Sequence, residues 1–306
     1  MEYQEFKVMI QKRMQEIMGD AIEVGFETYL KNNHTEIEAM TLKKKGLQTK
    51  VMLSPAIHLQ DLYILYKKEG DSEKFHACLV EIKKLYMEQE SKGLDFIDRD
   101  WDSIKGSICM NLLYEDWNKE WLEEEEVSHC KFLNFVIVLR SIVDISSQGI
   151  GSMVVTKELM SYWQITEEEL WAAAWENLYQ ERFYIQSMND VIKSEIREHE
   201  MDIDYKEMDS MLPLYVLSNQ KRAYGARAIL RTDLLQAFAM GAGRNLYILP
   251  SSVHELILIP DNGNYSVDDM RETVRTINET QVPEQDRLSD TIYYFQKDSG
   301  TIEIAE

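Results

Sequence analysis

LYVLSNQKRAYGARAILRTDLLQAFAMGAGRNLYILPSSVHELILIP, residues 214–260, is the stretch whose reading decides the fold. Short apolar runs at 214–217 and 226–230, bounded by polar residues or Gly, predict buried strands. Between them Asn219 and Gly225 tolerate positive φ and mark a loop over 218–225. Thr232 and Asp233 stand where a helix is capped. Leu234, Leu235, Phe238 and Ala239 give that helix one apolar face, and Gly241 and Gly243 stop it. A strand at 246–249 follows. Pro250-Ser251-Ser252 reads as a turn, because Pro cannot donate to a ladder. The nearly continuous apolar run 253–259 predicts a strand covered on both faces.

The same reading extends outward. Thr166-Glu167-Glu168-Glu169 fits a capping box ahead of a helix to about 181 whose face holds Leu170, Ala174, Trp175 and Leu178, with a strand at 183–185 after it. Strands are predicted at 104–114 and 132–142, the latter pairing with 153–155. Near the start, Tyr3, Phe6, Ile10, Met14 and Ile17 recur at helical spacing. A strand at 21–30, a hairpin of 37–42 with 47–53 around Lys45-Gly46, and helices at 56–67 and 73–90 follow. The charged segment 193–209 reads as a mobile loop. Past a turn at 261–264, Ser266 starts a helix with Val267, Met270, Val274 and Ile277 inward, and strands at 291–295 and 301–304 close the chain. This pattern is α+β: mixed β-sheets with packed helices, in two domains or subdomains. The acidic run near 123–128 is the expected boundary, giving 1–127 and 128–306, since like charges resist packing.

Composition bounds the function. The chain has 306 residues, 44% hydrophobic, with a net charge of -21, so it folds but repels nucleic acid and anionic membranes. The charge suits a basic protein partner instead. Three scattered cysteines make no disulfide framework and suit a reducing compartment. The first residues lack a signal-peptide core, and the longest apolar runs, such as 135–139, are too short to span a bilayer, so a cytoplasmic protein is expected.

The chemical motifs are incomplete. His254-Glu255 has no second His four residues on, and no G-x-S-x-G is present. His254 and Ser251-Ser252 then serve either a site or their own turn. Asn219, Arg222, Tyr224 and Gly225 form either an anion-binding loop or a solvated turn. Gly241-Ala242-Gly243 follows a helix, the wrong context for a dinucleotide. His76, Cys78, Cys109, His129 and Cys130 hold the atoms of a zinc site at spacings that match no compact pattern. Asp202-Ile203-Asp204 lacks the rest of a calcium loop. Trp171 and Trp175, at helical spacing, read as core. The candidate ligand-binding residues are Asn219, Arg222, Tyr224, His254 and Glu255. No catalytic residue, metal or cofactor is assigned, and the oligomeric state is open.

Tyr3-Gln4-Glu5-Phe6, Leu53-Ser54-Pro55 with Ile57-His58-Leu59, Trp163-Gln164-Ile165-Thr166, Tyr215-Val216-Leu217-Ser218-Asn219, Gly225-Ala226 and, above all, the run YILPSSVHE at 247–255 resemble the bacterial domain-of-unknown-function 5688 family over nearly the whole chain. The resemblance implies a bacterial cytoplasmic protein, in a family common in anaerobic Gram-positive gut bacteria and often near mobile elements. It supplies no catalytic residues. The leading expectation is an acidic interaction or accessory protein without catalytic activity. The alternatives are a small-ligand binder or enzyme using the residues around Asn219 and His254, and a nucleic-acid mimic acting on a DNA-binding protein.

Overall fold

Helix α1 (Tyr3–Met18) starts the first of two compact units, one of Met1–Lys31 with Thr35–Ser103, the other of Asn32–His34 with Ile104–Glu306. This is a computed structural model, and it describes residues 1–46, 57–91, 100–124, 126–146, 149–198 and 213–306. The helical spacing read from the sequence buries Phe6, Ile10, Met14 and Met18, and Gly19 at φ 82 ends the helix. Strands β1 (Ile22–Leu30), β2 (Glu36–Lys44) and β3 (Ile57–His58) form an antiparallel sheet in that order. Helices α2 (Leu59–Glu69) and α3 (Glu73–Ser91) add Leu59, Leu62, Phe75 and Leu79 to one core with Val24, Met40 and Leu42. Each such side chain contributes about 1.5–3 kcal/mol. β2, which holds the strand expected at 37–42, pairs with β1 and β3, and its expected hairpin partner 47–53 lies outside the described residues.

The second unit holds two further sheets. After the short turn α4 (Trp101–Ile104) come β4 (Ile108–Tyr114) and α5 (Glu115–Glu124), whose last two residues, Glu123 and Glu124, open the acidic run inside this unit. β5 (His129–Phe132), β6 (Phe135–Ser146) and β7 (Gly149–Val154) complete a four-stranded sheet in which β6 pairs with β4, β5 and β7. The strand expected at 132–142 is β6 from Phe135 on, and it pairs with 153–154 as expected, but its first residues instead close a hairpin with β5. The hairpin turn is Leu133-Asn134, with Leu133 at φ 56 and Phe132 opposite Phe135. A Leu in that backbone region gives no sequence warning.

Helices α6 (Lys157–Trp163) and α7 (Glu167–Gln180) follow, the second closed by the Thr166/Glu169 capping box, with Leu170, Ala174 and Leu178 buried and Trp175 half-buried. Then come β8 (Phe183–Ser187), α8 (Met188–Glu198), β9 (Tyr215–Asn219), α9 (Thr232–Ala242), β10 (Leu246–Ser252), β11 (Glu255–Pro260), α10 (Val267–Thr280), β12 (Tyr293–Gln296) and β13 (Thr301–Ile304). The six-stranded sheet runs β13-β12-β10-β11-β9-β8. Every pairing among the described strands is antiparallel, where mixed sheets were expected. Tyr293 of β12 is fully buried, packs on Phe135 of β6 at 5.0 Å and donates its hydroxyl to Asn134 Oδ1.

Four local readings change. The run 226–230 is a 3-10 turn, Gly225–Leu230, not a strand. β10 runs through Pro250 to Ser252, and the missing N–H is absorbed by a register shift between Leu249 and Ser252. Residues 193–198 belong to α8, and 199–209 lies outside the described residues. On α10 Ile277 is 44% exposed and Asn278 takes the inward place, donating to Ser289 O and Asp290 Oδ1.

Candidate functional site

Asn219 ends β9 and is 1% exposed. Its Nδ2 donates to Ala223 O (2.8 Å) and Glu181 Oε1 (2.9 Å), and its Oδ1 accepts from the Ala223 N–H (3.0 Å). The side chain therefore holds the loop shut. Arg227, also buried, donates Nε and Nη2 to the two Glu181 oxygens at 2.8 and 2.6 Å. Its Nη1 donates to the Ala223 and Tyr224 carbonyls. One carboxylate thus serves both Asn219 and Arg227, and the bidentate geometry offsets the desolvation of the pair.

The loop between them is tight. Arg222 and Tyr224 have φ of 48° and 52°. A Cβ at Gly225 would stand 2.4 Å from both His254 O and Ser218 Oγ, so only Gly fits where β9 meets the β10–β11 turn. Ser218 Oγ donates to His254 O (2.8 Å), and Ala226 N–H donates to Val253 O (3.2 Å).

His254 lies in that turn. Its Nδ1 accepts from the Tyr224 N–H at 3.2 Å, and its Nε2 is 3.5 Å from Asp286 Oδ1. A backbone N–H can only donate, so the neutral ring carries its proton on Nε2, facing the carboxylate. No ring lone pair is left to take a proton from a nucleophile. The serines are engaged as well: Ser218 donates to a carbonyl, and Ser252 Oγ accepts from the His254 N–H. Asp286 is placed by the turn Glu284–Asp286, whose Glu284 carbonyl and the following Arg287 carbonyl accept from Asn33 Nδ2, each at 2.8 Å.

The structure brings Asn219, Tyr224 and His254 of the sequence-derived set together. Arg222 is exposed on the same loop. Glu255 begins β11 opposite Ser252, and its carboxylate makes no hydrogen bond to the cluster. Sequence reading missed Glu181, Arg227, Asp286, Arg140 and Ser152. Arg140 had a signal: it is the only charge inside the run FVIVLRSIV, 135–143. Its Nε donates to Ser152 Oγ (3.0 Å), Ser152 Oγ and Tyr224 OH are 2.7 Å apart, and the guanidinium lies 5.5 Å from the Tyr224 ring centroid.

The cysteines do not converge on a metal. Cys109 is buried on β4, Cys78 and Cys130 are half-buried, and burial pushes all three thiols up. Among the described residues no group of three or more His, Cys, Asp or Glu is arranged to hold a metal ion. A concavity of about 380 Å³ at α5 and β5, lined by Glu115, Lys119, Leu122, Glu123, His129 and their neighbours, shares no residue with the His254 cluster. No described helix is long and apolar enough to cross a membrane.

A family model described as "Family of unknown function (DUF5688)" matches residues 3–297, and the chain belongs to that family. No curated protein and no solved structure matches the chain.

Proposed function

We propose that the protein is a cytoplasmic interaction protein without catalytic activity, whose acidic surface receives a basic protein partner. The observation that carries this reading is the state of His254. Both ring nitrogens face internal groups, the Tyr224 N–H and Asp286, so the ring serves as a fastener between three loops. The net charge of -21 supports the sign of the partner, because complementary charge speeds and selects encounter. The test is affinity capture with the full chain in lysate of an encoding host, at low and high salt. A basic protein retained at low salt and released at high salt is expected. Recovery of nothing above background, or of a partner indifferent to salt, overturns the reading.

A second reading takes the strand-end residues Asn219, Arg222, Tyr224, His254 and Glu255 as a small-ligand site. The approach of the Tyr224 and His254 rings to 5.7 Å, at the ends of strands on a rigid sheet, favours it. Loss of a ligand-induced thermal shift in His254→Asn is the matching test.

A further inference from the structure

Arg140 is half-buried on β6, and among the described residues its side chain makes one hydrogen bond. A guanidinium carries five N–H donors. The Nε donor meets Ser152 Oγ, and the Nη donors meet no hydrogen-bond or ion-pair partner among the described side chains. By contrast Arg227 has Glu181, Arg231 has Asp233 and Arg271 has Asp268. Half-burying a cation without a carboxylate is costly, and in a chain with 54 acidic residues a carboxylate partner is the easy solution.

The neighbouring hydroxyls add to the excess of donors. Ser152 Oγ already accepts from Arg140. If Tyr224 donates to Ser152, the Ser152 hydrogen is left over. If Ser152 donates to Tyr224, the Tyr224 hydrogen is left over. Either way one O–H joins the Nη groups. The Arg140 fork is also oriented, by its bond to Ser152 and by the Tyr224 ring.

The surroundings favour negative charge. No Asp or Glu occurs between Glu126 and Asp144, or between Asp209 and Asp233, and the second gap holds Lys221, Arg222, Arg227 and Arg231. The first gap holds Arg140. Burial raises the Cys109 thiol most; Arg227, Arg140 and Lys221 pull it back, while Glu181, the partner of Arg227, raises it, so Arg140 and Lys221 are the cations at this spot beside β4 that Glu181 does not pair. Cys109 stands opposite Arg140 in the sheet. Two residues along β4, on the same face, Asn111 is 1% exposed and neither of its amide atoms meets a protein partner.

We propose that Arg140, with the hydroxyls of Ser152 and Tyr224, binds an oxyanion: the carboxylate or phosphate group of a small molecule. This narrows the second reading to a ligand class and moves its anchor to a residue outside the strand-end set, and it is independent of the interaction reading. The experiment is calorimetric titration of the full chain with inorganic phosphate and, separately, with acetate, at constant ionic strength in chloride. Saturable binding of at least one is expected, weakened about tenfold or more in Arg140→Gln, because a bidentate charge-assisted pair is lost. Ser152→Ala weakens it less, and Arg244→Gln, an exposed arginine bonded to the Asp261 carbonyl, leaves it unchanged. Binding of phosphate alone assigns the site to phosphate esters, and binding of acetate alone assigns it to carboxylates. No binding of either anion, or equal affinity in a folded Arg140→Gln protein, overturns the proposal. Should Arg140→Gln not fold, unchanged affinity in Ser152→Ala overturns it. Binding lost in His254→Asn but kept in Arg140→Gln overturns it too, while leaving the second reading standing.

Discussion

The Tyr224 N–H donates to Nδ1 of His254 over 3.2 Å, and this bond sets both the tautomer of the ring and the end of the loop. His254→Ala strips the donor of its partner and is expected to lower stability by about 1–3 kcal/mol, the cost of an unmet donor. His254→Asn, whose Oδ1 stands near the position of Nδ1, should recover part of that loss. Urea denaturation of the two variants checks it, and equal losses would remove the fastener role.

Gly225 allows β9 to lie against the β10–β11 turn. Gly225→Ala is expected to cost about 2–3 kcal/mol through overpacking. Adding Ser218→Ala should not restore stability, because the His254 carbonyl still blocks the Cβ. A double variant as stable as wild type would show that the serine hydroxyl alone makes the site tight.

The Arg227–Glu181 pair is a second fastening, and Asn219 depends on it. Removing Arg227 alone leaves a part-buried carboxylate uncompensated, with an expected loss of about 3–5 kcal/mol. Arg227→Met combined with Glu181→Leu should be more stable than Arg227→Met alone. Its remaining deficit reports the lost Asn219 bond. A double-mutant cycle by chemical denaturation measures the coupling.

In the first unit Lys7 and Tyr3 both donate to Glu38, and these bonds hold its carboxyl below the ordinary value of 4.5. A carboxylate whose folded value is depressed contributes stability that is present above the unfolded value and drains away as the pH falls through the folded one. Wild type should therefore lose more stability than Glu38→Gln as the pH is lowered from about 5. Melting curves from pH 6 downward check this. Parallel curves for the two proteins would mean that Glu38 gains nothing from its partners.

The architecture was legible where one residue type enforces one geometry. Thr166 with Glu169, Ser266, and Gly243 mark helix ends through hydrogen bonds or backbone freedom that few other residues supply, and the structure keeps each mark. Apolar period failed where tertiary packing had the choice. Residues 226–230 are apolar and short enough for a strand, yet they coil as a 3-10 turn because Arg227 must reach Glu181. Asn278 displaced Ile277 from the inner face of α10 because Ser289 and Asp290 offer it acceptors. The loop carrying Tyr224 and its neighbour His254 could be found from punctuation alone. Asp286 could not, because it arrives from a distant chain position on the turn Glu284–Asp286, and the lone charge of Arg140 marked that residue without saying that the fold sets it beside Tyr224.

Among the described residues the six-stranded sheet ends in two outer strands, β8 and β13, each paired on one side only. β13 is four residues long, carries Glu303 and lies mostly exposed. β8 is five residues long and passes straight into a helix. Short, charged or helix-capped borders of this kind offer little template for a second chain to extend the sheet. This sheet should therefore not seed ribbon growth at high concentration, where the net charge of -21 keeps molecules apart.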